Sequence, residues 1–567
     1  MNGLPDMMYT THKDNDTQRL NPLKHIVLRP RGRQPSVLLI TGVILILSSL
    51  VGYAPRAQGL ESVDYTPLPE GGWKVSAPAE QGLDPMLVAE LYRDAAELEN
   101  VYGLLLVKNG HLIAEGYFNE GAVEQDALVQ SVSKSYIAAL VGIALDQGCL
   151  TSVDQKMMAF FPEFADQITD PRKAQITIRD LLQMRGGYPW EETDPALWEA
   201  LLAGDQLPLL VDYPLLSDPG TTFHYSNLTS YLLGVIVARA CDTDLWAYAQ
   251  EHLLSPMGTG AGQWYPDQYD YYYSLFSFTA RDLARFGLLF LDDGWCEGNP
   301  VLSADWVRAS LQNYSEGINS GGIVAGKMGY YFNDIGYGYQ WWSATVGDHR
   351  FDYAAGHGGQ LIILLDEFDL IIVVTSDPFF LQHDDEAWRH ERANYNLVGK
   401  FIASLGQPAS ARPTRMPPSV GLHEAALKGD LEAIRQYIEM GSDLNEKDAV
   451  GGSSPLIIAA TFGRTDVARA LIDAGADVDH QNNEGSTALH TAALFCHTEI
   501  VEALLDKGAD KQIRNNTGST ALMAVDGPFE AIKFIYDYFG EVLKPYGLEL
   551  DYERIERTRP KIAEMLR

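Results

Sequence analysis

Three short groups of residues in this chain have side chains that could act together on a carbonyl. The first is Ser131-Val132-Ser133-Lys134. At i and i+3 on a helix the Ser131 hydroxyl and the Lys134 amine share a face, so they can meet directly. An ordinary lysine, with a pKa near ~10.4, is protonated at neutral pH, and burial or a neighbouring cation must lower that value before the amine can serve as a base. Apolar Ile137, Ala138 and Ala139 nearby help by excluding water, and a helix start offers unpaired amide protons to an oxyanion. The second group, Tyr225-Ser226-Asn227, follows Pro219-Gly220 and precedes the apolar run Leu228 to Ala238. A phenol near an ammonium loses its proton more easily and can shuttle it to a leaving group. The Asn227 amide adds one acceptor and two donors, enough to hold a substrate amide and a lysine together. The third group is Gly356-His357-Gly358-Gly359-Gln360. Glycines beside a strand let a substrate backbone approach closely, and the Gln360 backbone amide then stands as a second oxyanion donor. Taken singly, each group has a plainer reading: a solvated helix start, a helix-capping turn and a glycine-rich turn.

The elements that must carry these groups are legible in outline. Gly103 to Val107 and Leu112 to Phe118 flank Asn109-Gly110, a hairpin signal because both turn residues need positive φ. A helix is predicted from Ser131 to Gln147, with others at Ile178 to Met184 and Thr279 to Asp292. Strands return at Tyr337 to Trp342, Leu361 to Leu365 and Leu370 to Thr375, the last two joined by the turn Asp366 to Asp369. Strands at both ends of a segment with helices between them indicate one α+β domain whose sheet is assembled from distant pieces.

In this order, SxxK, YxN and HGG before a C-terminal hairpin resemble the active-site set of class C β-lactamases, D-alanyl-D-alanine carboxypeptidases, related esterases and 6-aminohexanoate-oligomer hydrolases. The resemblance extends over about 75–400. It is supported by Ile176 to Met184 followed by Gly186-Gly187, by Thr279 to Gly287 and by Gly338-Tyr339-Gln340-Trp341-Trp342. It implies a β-lactamase/transpeptidase-like antiparallel sheet flanked by helices, with a helical subdomain. It further implies Ser131 as the acylated nucleophile, Lys134 as its base partner and Tyr225 as acid/base on the leaving group. Asn227, His357, Gly358 and Gly359 become substrate-binding positions, and the backbone amides of Ser131 and Gln360 become the oxyanion hole. No cofactor and no metal is implied. Where many relatives have lysine, this chain has His357, largely neutral at pH 7 by its reference value near ~6.5. Attraction for anionic β-lactams is correspondingly weaker, which favours ester, peptide or linear amide substrates. Tyr188-Pro189-Trp190-Glu191-Glu192 resembles the amide-hydrolase branch.

Beyond this domain (60–405) and a Pro-, Ser- and Arg-rich linker (406–419), the chain repeats itself. Leu422, Leu456, Leu489 and Leu522 stand 34, 33 and 33 residues apart, with Ala425, Ala459 and Ala492 and Gly441, Gly475 and Gly508 in step. A period near ~33 is that of ankyrin repeats, and the units Ser454-Pro455-Leu456-Ile457 and Thr487-Ala488-Leu489-His490 resemble their opening turn. The expectation is an all-α ankyrin solenoid over 420–545 that binds a protein partner on its concave face, followed by a C-terminal tail over 546–567.

The N-terminal region is of another kind. A basic tail (1–35) ends in Lys24, His25, Arg29, Arg31 and Arg33 and precedes an apolar run over 36–53, which reads as a transmembrane anchor or signal segment. Basic residues on its N-terminal side place the catalytic domain outside the cytoplasm, on the periplasmic side of a bacterium. Of 567 residues, 46% are apolar and 21% charged, as in globular protein. The formal charge of −34 repels nucleic acid and anionic headgroups. The four cysteines, Cys149, Cys241, Cys296 and Cys496, lack metal-ligand spacing. They read as buried thiols, although outside the cytoplasm a bridge such as Cys149 to Cys241 becomes permissible. The leading expectation is a serine hydrolase acting through an acyl-enzyme on a small-molecule or peptide substrate that is an amide, peptide or ester. The rival is a non-catalytic receptor or scaffold on the same fold. A further expectation to be tested is that the repeats gate the active site.

Overall fold

The computed structural model describes residues 63–567 except 69–70, 191–198, 201–202, 204, 261, 268–271, 319–327, 381–385, 414 and 449–450. The basic tail and the apolar run over 36–53 lie outside the described residues. Among the described residues, no helix is long and apolar enough to cross a membrane.

Strands β1 (Val101–Lys108) and β2 (His111–Tyr117) form the expected hairpin, with Asn109 at φ 50° and Gly110 at φ 69°. Far along the chain come β3 (Asn333–Tyr337), β4 (Trp342–Val346), β5 (His349–Gly356), β6 (Gln360–Leu365) and β7 (Leu370–Ser376). Together they make a seven-stranded antiparallel sheet in the order β2-β1-β7-β6-β5-β4-β3. Its middle strands are apolar at nearly every position because both faces are covered. Alternate side chains point to opposite faces, and the two sets enter different cores. Leu105, Val107, Ile362, Leu364, Ile371 and Val373 pack with the helical region. Leu104, Leu106, Leu361, Ile363, Ile372 and Val374 pack on the other side with helix α1 (Pro85–Ala96) and helix α6 (Glu386–Ser404).

On the first side lie α2 (Ser133–Asp146), α3 (Ile178–Leu182), α4 (Asn227–Ala240) and α5 (Ala280–Leu291). Helices α2 and α4 are buried almost all round, which is why their sequences show no polar face. Helix α5 lies directly on the sheet at Gly287, where a Cβ would come within 2.9 Å of the Ile371 side chain.

The strand expected over 337–342 is two strand ends with a turn between them. Gln340 sits in that turn at φ 60° and is only 2% exposed. Its amide donates to the carbonyls of Leu181 and Leu182, both at 3.0 Å, while Ser135 Oγ donates to its backbone carbonyl at 2.7 Å and Ser230 Oγ to its side-chain oxygen. One buried residue thus ties α2, α3 and α4 together, through its backbone carbonyl to α2 and its side chain to α3 and α4, and those bonds offset the cost of the left-handed backbone.

The repeats form helix pairs: α7 (Leu422–Lys428) with α8 (Leu431–Glu439), α9 (Pro455–Thr461) with α10 (Thr465–Asp473), and α11 (Ala488–Leu494) with α12 (Thr498–Asp506). The periodic glycines have a common cause, since Gly441, Gly475 and Gly508 all follow a helix end with φ of 72°, 93° and 95°. Helix α13 (Phe529–Val542) closes the series. The expected tail over 546–567 is a further helix, α14 (Tyr552–Leu566), with Ile555, Arg559, Ile562 and Leu566 buried. Arg559 donates to Ala524 O at 2.8 Å and to the Tyr536 hydroxyl at 3.0 Å, and Arg554 donates to Cys496 O at 2.8 Å. The end of a solenoid exposes core that a neighbouring repeat would otherwise cover. This helix covers it with sparsely spaced apolar residues in a charged sequence, which is why it reads as a tail.

The linker over 406–419 is held at Arg412 and again at Pro418 and Ser419. Arg412 pairs with Asp84 at 2.7 Å, Asn396 donates to Pro418 O at 3.4 Å and Arg392 donates to Ser419 O at 2.9 Å. The four cysteines are free thiols, Cys496 buried and the others partly so.

Candidate active site

Ser131 lies in a single 3-10 turn, Gln130–Val132, that runs directly into α2. Gln130, just before it, has φ 51°, a strained value for a residue with a Cβ, and Val129 is fixed by a backbone bond from its N–H to Phe276 O at 2.9 Å. The helix therefore begins two residues later than the sequence pattern suggests, and Ser131 stands at its entrance. Lys134, one turn on, is 3% exposed. Its Nζ donates to Ser131 Oγ at 2.8 Å and to Asn227 Oδ1 at 2.7 Å, and it lies 5.0 Å from the centre of the Tyr225 ring. Burial opposes the charged form of this amine, whereas the hydroxyl, the amide oxygen and the ring face favour it.

Helix α4 brings the second group in. Ser226 is its N-cap, accepting from Thr229 N at 3.3 Å, so Asn227 is the first helical residue and Tyr225 the last extended one. The capping reading and the chemical reading hold together here, because the cap aims the two flanking side chains at Lys134. Tyr225 is 7% exposed, its ring stacked on Trp342 at 5.3 Å and edge-on to Trp190 and Tyr337, both at 6.2 Å.

The third group forms the hairpin between β5 and β6. Gly356 pairs in register with Gln360 and abuts the nucleophile turn, since a Cβ there would fall 2.3 Å from Val129 O and 3.0 Å from Gln130 Cβ. This contact brings the backbone of Gln360 beside that of Ser131. The Gln360 side chain is turned away into the protein, its Nε2 donating to Ser376 O at 2.6 Å and its Oε1 accepting from Ser376 N at 3.1 Å. Gly358 and Gly359 have φ of 83° and 87°, values open to glycine. The Gly358 carbonyl accepts from Ser376 Oγ at 2.6 Å, Asn394 Nδ2 at 3.2 Å and Asn100 Nδ2 at 3.3 Å. His357, 38% exposed at its side chain, places Nδ1 3.1 Å from Glu391 Oε2. The structure thus draws all three groups to one place, with Lys134 in direct contact with both Ser131 and Asn227.

Sequence reasoning missed the residues that hold the turn: Glu391 and Asn394 on α6, together with Asn100 and Ser376. A signal for the first two exists. Glu391 and Asn394 interrupt the apolar stripe that Tyr395, Val398 and Ile402 continue, and a polar residue on an apolar stripe marks a buried partner.

The fold is that of a β-lactamase-type domain, and the chain belongs to that family: residues 101–396, just over half of it, match the beta-lactamase family model. Residues 422–515 match ankyrin repeats. The chain is 28% identical over 298 residues to the 6-aminohexanoate-dimer hydrolase of Paenarthrobacter ureafaciens, covering 48% of this chain and 71% of that one. It is 24% identical over 242 residues to beta-lactamase-like protein 2 of Dictyostelium discoideum, covering 42% of this chain and 41% of that one, less than half of either. Its repeats are 34% identical over 111 residues to human protein phosphatase 1 regulatory subunit 27, covering 19% of this chain and 66% of that one. The protein thus joins a β-lactamase-family domain to ankyrin repeats, a protein-interaction module.

Proposed function

We propose that the protein hydrolyses a neutral ester or amide through an acyl-enzyme on Ser131. The observation that carries this reading is the buried Lys134 amine, 2.8 Å from Ser131 Oγ and 2.7 Å from Asn227 Oδ1. With one N–H engaged by Asn227, a neutral amine turns its lone pair to the Ser131 hydroxyl and takes its proton as Oγ bonds to the substrate carbonyl carbon. The carbonyl oxygen becomes an oxyanion and accepts from the amides of Ser131 and Gln360. Collapse of the intermediate breaks the bond to the leaving group, which receives a proton from the Tyr225 phenol, restored in turn from Lys134. Water then attacks the acyl-enzyme with the same groups acting in reverse, releasing the acid and free Ser131. His357, Gly358 and Gly359 line the edge along which the substrate backbone lies. The ankyrin repeats supply a docking site for a protein partner.

The test is turnover of a panel containing a p-nitrophenyl ester, an aminohexanoate dimer, a D-alanyl dipeptide and nitrocefin by the wild type and by Ser131→Ala. Ester or linear amide hydrolysis abolished in the variant supports the reading. Equal hydrolysis by both proteins removes Ser131 as the nucleophile, and no turnover of any of the four by folded wild type favours the scaffold alternative. From the basic-then-apolar order of residues 1–53 we further infer a membrane-anchored or exported protein with its hydrolase domain outside the cytoplasm. Protection of that domain from added protease in spheroplasts would refute this.

A further inference from the structure

Helix α6 faces two ways. Glu391 and Asn394, at i and i+3, lie on one face and bond the His357 turn. Arg392 and Asn396, at i and i+4, lie on the next face and hold Ser419 and Pro418, and Arg392 also pairs with Glu424 of the first repeat at 3.2 Å. The carboxylate on the first face is the unusual one. Its side chain is 5% exposed, and Oε2 meets both His357 Nδ1 at 3.1 Å and the Gly358 amide N–H at 3.2 Å. A carboxylate so buried is costly unless paired and hydrogen-bonded, so its position and that of the turn are mutually fixed.

Two consequences follow from the geometry. A carboxylate facing Nδ1 requires a proton there and so sets the orientation of the ring, with the Nε2 edge on the opposite side. Any positive charge on the imidazole is also matched at 3.1 Å, whereas an unpaired cation at this point would draw in a substrate carboxylate. We infer that Glu391 is a positioning residue that fixes the His357 imidazole through Nδ1 and biases the site against anionic acyl substrates. The selectivity half of this inference rests on the hydrolase reading above; the positioning half does not.

The test uses the full chain and the variants Glu391→Gln, which keeps an acceptor but no charge, and Glu391→Asp, which keeps the charge. The readout is the ratio of kcat/KM for p-nitrophenyl hemisuccinate to that for p-nitrophenyl butyrate at pH 5.5, about one unit below the ordinary imidazole value of ~6.5, where an imidazole is largely charged. The ratio rises about tenfold in Glu391→Gln, as expected for one uncompensated charge in a partly solvated site. It returns toward the wild-type value in Glu391→Asp and does not respond to Glu391→Gln when His357 is alanine. A ratio within twofold of wild type in Glu391→Gln, or a full change in the His357→Ala background, overturns the inference. Histidine-selective 15N NMR, with the His357 signal assigned by its loss in His357→Ala, decides the positioning half without turnover. A proton on Nδ1 in the wild type, with the signal displaced in Glu391→Gln, supports it; an unprotonated Nδ1 overturns it. If the wild type hydrolyses neither ester while Nδ1 is protonated, the hydrolase reading fails and the positioning half stands.

Discussion

Replacing Gly356 by alanine perturbs the site without touching any group that does chemistry. The added Cβ would lie 2.3 Å from Val129 O, 3.0 Å from Gln130 Cβ and 3.2 Å from Gln360 Cβ. The first is a backbone atom and the next two are the first side-chain carbons, bonded directly to Cα, so none can swing aside. Relief of a close-packed clash of this size means opening the hairpin from the nucleophile turn by about 1 Å. That displacement separates Ser131 from Gln360, whose amides are meant to act on one oxygen. A misplacement of ~1 Å costs on the order of 100-fold in rate, and overpacking costs about 1–3 kcal/mol in stability. The assay is the second-order rate of Ser131 modification by a fluorophosphonate together with kcat/KM for a neutral ester, with a thermal melt to show that the variant is folded. Both rates should fall together by about two orders of magnitude. A folded variant reacting within threefold of wild type would refute the claim that the two turns act as one site.

Lys134→Ala should lower kcat for a neutral ester by roughly 10²–10⁴-fold, the range for loss of a positioned general base, as measured in steady state; a loss under fivefold would remove Lys134 from that role. Burial, aided by the Arg554 charge, lowers His497 to about 4 from 6.5. The folded repeats thus hold it neutral while the unfolded chain takes up a proton, so stability is full above pH 6.5 and is lost as pH falls toward 4. The loss is about 3 kcal/mol, and His497→Gln should flatten the acid limb of repeat unfolding followed by hydrogen exchange. Arg559→Ala leaves Ala524 O, Gly527 O and the Tyr536 hydroxyl without a buried donor. It should destabilise the C-terminal end of the solenoid by about 2–4 kcal/mol, read as faster amide exchange over 520–567; unchanged exchange would return α14 to the status of a tail.

What was legible in the sequence shares one property: a local pattern with a single physical cause. Asn109-Gly110 needs two positive φ values, and the periodic glycines of the repeats mark one recurring helix end. The middle strands are apolar because both faces are buried. The order of the three active-site groups carried the site through resemblance, and their meeting is a matter of geometry that sequence does not supply. What escaped notice was polar and non-local. Gln340 looks like a strand residue until its amide is seen to bind two carbonyls of α3. Glu391 looks like one charge in a polar helix until its partner, 34 positions earlier in the chain, comes within 3.1 Å. Helix α14 reads as a tail because its buried residues are spaced among charges, and the linker as a loose tether because Pro and Ser give no sign of Asp84 or Arg392. Each of these depends on a partner that only the folded chain brings near.

The most direct measurement is the mass of the trapped enzyme. After reaction with a fluorophosphonate, tryptic peptides of the full chain should carry one phosphonyl group on the hydroxyl of Ser131, with labelling abolished in Lys134→Ala. An adduct on another serine, or folded protein that takes up no label under conditions that modify a known serine hydrolase, would contradict a catalytic hydroxyl activated by a buried amine.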